Sequence, residues 1–74
     1  MNQLFDRINL ERRELVIKLN KLEVFIGSEE YHKLDDYDKS MLEVQILAMK
    51  TYYQCLCIRL QKITLVLFPE ENHD

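Results

Sequence analysis

Through the first third of the chain, apolar side chains recur at alternating intervals of four and three residues. They are Met1, Phe5, Ile8, Leu15, Leu19, Leu22 and Ile26, and only Arg12 interrupts the series. That spacing keeps one face of a helix apolar and predicts a continuous coiled-coil-like helix over about 2–26. Gly27 is expected to close it in a left-handed conformation, and Ser28-Glu29-Glu30 offer the start of a short turn reaching Lys33. The second series is unbroken: Leu42, Ile46, Met49, Tyr53, Leu56, Leu60, Ile63 and Leu67. It predicts a helix over about 36–68, N-capped by Asp35, with Asp36 and Asp38 in the first turn where the helix dipole favours negative charge. The run Ile63-Thr64-Leu65-Val66-Leu67-Phe68 is rich in β-formers, but the unbroken phase through Leu67 favours helix. Pro69 ends the pattern and opens a polar tail over 69–74.

These elements predict an all-α fold: one antiparallel two-helix hairpin over 1–68, joined by a connector over 27–35. At about 1.5 Å per residue the first helix is roughly 38 Å long and the second roughly 50 Å. Folded back, the second is expected to overshoot the first by about two turns and leave Ile63, Leu65, Val66, Leu67 and Phe68 uncovered. A further apolar line repeats on each helix, away from the first seam. Leu10, Ile17 and Val24 form one, and Tyr37, Met41, Val44, Ala48, Cys55, Ile58 and Leu65 the other. One hairpin cannot bury both faces, so assembly into a helical bundle, a dimer or larger, is expected. Leu10, Ile17, Val24, Met41, Val44, Ile58, Leu65, Leu67 and Phe68 are the candidate oligomer or partner interface. The alternative is that Leu10, Ile17 and Val24 are scattered surface apolars, which are common.

Composition fits that picture. With 74 residues, 47% hydrophobic, one Gly and one Pro, long helices are expected and a single small core must be supplemented. The net charge of -3 offers no general field for a phosphate backbone. Cys55 and Cys57 stand two apart, which on a helix points them apart, so reduced thiols are expected. The first residues lack a basic stretch followed by an apolar one, so no secretory signal is expected. Lys50, Gln54, Arg59, Gln61 and Lys62 interrupt the apolar stretch from Ile46 to Phe68, against a membrane span.

No catalytic constellation, metal or cofactor is expected. His32 and His73 have no cysteine at a useful spacing, and Cys55-Leu56-Cys57 is a lone C-x-C. Asp35-Asp36-Tyr37-Asp38 lacks the glycine and terminal glutamate of a calcium loop, and capping explains it better. The polar positions of interest are Arg12, in a seam position, and Arg59, with Tyr52 and Tyr53 between them in an antiparallel alignment. Two arginines beside two tyrosines can clamp an anion or stack on a nucleobase. The residues alone favour a structural role, with Arg12 snorkelling or pairing across the bundle.

The stretch from Glu11 to Arg59 resembles a family of small helical-hairpin proteins encoded by tailed and crAss-like phages. The matching residues are Glu14-Leu15, Lys18-Leu19, Lys21-Leu22, Phe25-Ile26, Leu34, Leu42, Gln45, Met49, Tyr52, Leu56 and Arg59. The architecture is also similar to phage anti-defence sponges that sequester cyclic nucleotide signals. The resemblance implies a non-enzymatic phage accessory protein in the host cytoplasm. Three functions follow: an oligomeric sponge for a nucleotide signal, contacted by Arg12, Tyr52, Tyr53 and Arg59; an oligomeric protein that binds and inhibits or redirects a host protein; and, least favoured by the net charge, a DNA-binding helical dimer.

Overall fold

The computed structural model describes residues 2–69, so Met1 and the tail after Pro69, with His73, lie outside the described residues. The fold is all-helical, in the order α1 (Gln3–Ile26), α2 (Glu29–His32) and α3 (Asp36–Leu67). Each helix starts on a side-chain cap. Asn2 Oδ1 accepts from the Phe5 N–H at 2.9 Å, Ser28 Oγ from Tyr31 at 3.3 Å and Asp35 Oδ1 from Asp38 at 2.8 Å. No helix among the described residues is long and apolar enough to cross a membrane.

Two expectations about chain path are corrected. Gly27 is not left-handed: its φ is -80°. The last turn of α1 tightens instead, with Gly27 N–H donating to Val24 O at 3.1 Å and Ser28 N–H to Phe25 O at 2.9 Å. These three-residue bonds satisfy the terminal carbonyls, so no left-handed residue is required. The second correction concerns where the surplus length of α3 lies, although Leu65, Val66, Leu67 and Phe68 are exposed as expected. Leu4 and Ile8 share a groove with Ile63, Val66 and Leu67, so the end of α3 lies beside the start of α1. The extra length of α3 lies at the connector end, where α2 folds against it. There the Tyr31 hydroxyl donates to Glu43 Oε1 at 3.3 Å, and Lys39 Nζ stands 5.6 Å over the Tyr31 ring. Phe25 meets that ring edge-on, and Tyr31 is buried. A connector carrying its own aromatic plug caps the uncovered turns of α3, an arrangement no heptad pattern encodes.

The core forms along the two seams. Ile8 and Leu15 of α1 cluster with Leu56 and Leu60 of α3, and Phe5, Met49, Tyr53 and Ile63 pack around them. Leu19 and Ile46 extend it, and Leu56 is fully buried. This core is small. Among the described residues seven hydrophobic side chains are buried, against fourteen large ones left exposed. The exposed set is ordered on α3. Tyr37, Met41, Val44, Ala48, Thr51, Cys55, Ile58, Lys62 and Leu65 follow the same four-and-three spacing as the buried seam, and every one is exposed. Leu10, Ile17 and Val24 make the corresponding exposed line on α1.

Two substitutions separate core from backbone. Leu56→Ala should lower stability by about 2–5 kcal/mol, read from the urea midpoint by circular dichroism, because it empties the best-packed position. Gly27→Ala should instead be neutral or stabilise by about 0.4–1 kcal/mol, since φ is ordinary and the new methyl meets only Val24 O at 3.5 Å. A loss above about 1 kcal/mol at Gly27 would restore the left-handed cap.

Candidate functional site

The polar cleft with the most chemistry lies where the N-terminal half of α1 crosses the C-terminal half of α3. Leu4, Arg7, Ile8 and Glu11 line it from α1, and Tyr52 and Arg59 from α3, around about 280 Å³. The α1 residues follow from helical spacing. Leu4, Ile8 and Glu11 lie one turn apart, and Arg7 stands four residues before Glu11 on the flank of the apolar seam. On α3, Tyr52 and Arg59 are seven residues apart, two full turns along one flank.

Electrostatics tie these side chains together. The Tyr52 phenol is raised above its ordinary range, chiefly by the hydrogen-bonding pull of the nearby Glu11 carboxylate, with burial and the Glu11 charge adding to it. Arg59 lowers it again, so its guanidinium is within Coulombic reach of Tyr52. The cleft thus carries two guanidinium groups, one carboxylate and one phenol, an excess of one positive charge. Planar guanidinium forks suit phosphate or carboxylate oxygens, and the phenol adds a donor and an aromatic face.

Beside it runs an apolar groove of about 400 Å³, which shares Leu4, Ile8 and Arg59 with the cleft and continues to Ile63, Val66 and Leu67. A ligand there meets charge on one side and hydrocarbon on the other. That is the usual make-up of a small-molecule site, though this one is open to solvent.

The expected contact residues divide. Tyr52 and Arg59 meet in the cleft. Tyr53, on the neighbouring face, packs against the core. Arg12 turns along its own helix, where Nε and Nη2 donate to Asn9 Oδ1 at 3.3 and 2.8 Å. Arg7 and Glu11 were not singled out from the sequence. Their signal was present as an oppositely charged pair four apart, flanking the seam that faces Tyr52 and Arg59. Leu10, Ile17, Val24, Met41, Val44, Ile58 and Leu65 are exposed, and Leu67 and Phe68 line a groove with Asn2, Phe5 and Asp6. Cys55 is exposed and Cys57 half-buried, both as free thiols. Among the described residues, no three His, Cys, Asp or Glu side chains are arranged so that they could hold a metal ion.

Among the described residues, two long helices pack over a small core with a charged cleft on their flank. The chain belongs to the Sequestin family, whose model matches residues 2–62. No curated protein and no solved structure matches it.

The pull of Glu11 on Tyr52 has a measurable consequence. In a spectroscopic titration Tyr52 should ionise at higher pH than an unperturbed tyrosine, and Glu11→Gln should bring it back toward 10.0. A phenol whose folded pKa is raised stabilises the fold below the unfolded pKa, and the effect is lost as pH rises through the folded value. Glu11→Gln should therefore lose this contribution at neutral pH and show a smaller fall in stability than the wild type as pH rises past 10.0. Unchanged Tyr52 titration in that variant would rule out Glu11 as the cause of the shift.

Proposed function

We propose that this chain is a small, non-enzymatic phage anti-defence protein that oligomerises and sequesters a nucleotide signalling molecule in the host cytoplasm. The observation that carries the reading is the joint placement of Arg7, Tyr52 and Arg59 on two facing helices, beside an apolar groove. Guanidinium forks take phosphate oxygens, the tyrosine face takes a base, and the groove takes the less polar part of the ligand. Sequestration asks only for tight, stoichiometric binding, and the family name, Sequestin, suggests sequestration. The hairpin's exposed apolar faces supply the means of oligomerisation, which narrows an open cleft and strengthens charged contacts by excluding water.

A second reading rests on the same exposed faces: an oligomer that captures a host protein and inhibits or redirects it. The two are separated by what stabilises the purified chain.

A thermal-shift screen against cyclic mono- and dinucleotides decides between them. A true ligand at about 100-fold over its Kd adds about 2.7 kcal/mol, which for a domain this size raises the melting temperature by roughly 10–20 °C. Arg59→Ala should abolish the shift while leaving the unliganded melting temperature within a few degrees. No shift with any nucleotide, together with stoichiometric capture of one host protein, would transfer the assignment to the second reading.

A further inference from the structure

We infer that the exposed seam of α3 is a two-fold antiparallel interface with a second copy of this chain, and that this copy walls the Arg7–Tyr52–Arg59 cleft. Nine positions from Tyr37 to Leu65 keep a strict four-and-three spacing, as in a coiled-coil seam, and all are open to solvent.

The distribution of charge selects the occupant. Asp36 and Asp38 stand in the first turn of α3, next to the Asp35 cap. From Val44 to Leu67 the helix carries Lys50, Arg59 and Lys62 and no carboxylate. A second α3 laid parallel sets acid on acid and base on base. Laid antiparallel, each acidic end meets a basic end and the helix dipoles oppose favourably. A surface complementary to itself after a two-fold rotation is the signature of an isologous dimer.

Spacing also selects the register. With Ala48 opposite Thr51 of the second copy, Val44 meets Cys55, Met41 meets Ile58 and Tyr37 meets Lys62. The small residues fall at the centre, where they let the two helices approach closely, and the larger apolar pairs flank them. Lys62, the only charge within the seam, then lies over the Tyr37 ring beside the acidic first turn.

The dimer bears directly on the cleft. Tyr52 and Arg59 each follow a seam residue, Thr51 and Ile58, and so sit about 100° around the helix, at the edge of the interface. In this register residues 40–47 of the second copy run alongside them and narrow the open side of the cleft. The dimer deepens the proposed function only in what it encloses, and it is tested without any nucleotide, so either can fail alone.

Two measurements on the full chain test it. Light scattering should give twice the 9.0 kDa of one chain, and Met41→Glu should weaken association roughly tenfold or more with helicity retained. Under oxidised glutathione, Val44→Cys should form a covalent dimer through Cys55, and Cys55→Ser added to that variant should abolish it. The wild type should not cross-link, because the register holds the two Cys55 residues about 16 Å apart along the axis, beyond disulfide reach of about 7 Å. A 9.0 kDa monomer at millimolar concentration, or a wild-type cross-link through Cys55, overturns the proposal.

Discussion

Everything in this molecule depends on one constraint: two long helices in contact can bury one stripe each, and this sequence supplies two. The first stripe closes on Ile8, Leu15, Leu56 and Leu60 and holds α1 against α3. That contact sets the level at which α1 meets α3, and hence which flanking residues face each other. Arg7 and Glu11 reach Tyr52 and Arg59 because the core holds Ile8 against that part of α3. The cleft is a by-product of the seam, built from residues that border it on either side.

The seam residues were readable directly. Six of the seven buried hydrophobics, Tyr31 being the exception, occupy heptad positions in the two series. Periodicity works here because burial and helical repeat have the same cause. It fails where the chain leaves the repeat. The three-residue bonds that close α1 replace a left-handed Gly27, and the Tyr31 plug against Glu43 and Lys39 comes from a connector too short to carry a pattern. The same limit misplaced the surplus length of α3, since relative sliding of two helices depends on loop packing that residue spacing does not record.

The site was legible by half. Tyr52 and Arg59 stood out by residue type, and the antiparallel arrangement brought them into one cleft. Arg12 drew attention because it breaks an apolar series, yet a long side chain in a seam position can satisfy itself locally, and Asn9 offers a carbonyl three residues back. Arg7 and Glu11 are an oppositely charged pair four apart, a spacing that any solvated helix face carries. Their role appears only once the flank they occupy is set against α3.

With the first stripe spent on the internal contact, the second stays exposed, and in the proposed reading it joins copies of the chain. The most direct test is the dependence of thermal unfolding on protein concentration. For subunits that stabilise one another the melting temperature rises steadily as concentration increases over several orders of magnitude. A melting temperature that stays constant over that range would mean that a single chain is already the stable unit, and would contradict this view of the exposed faces.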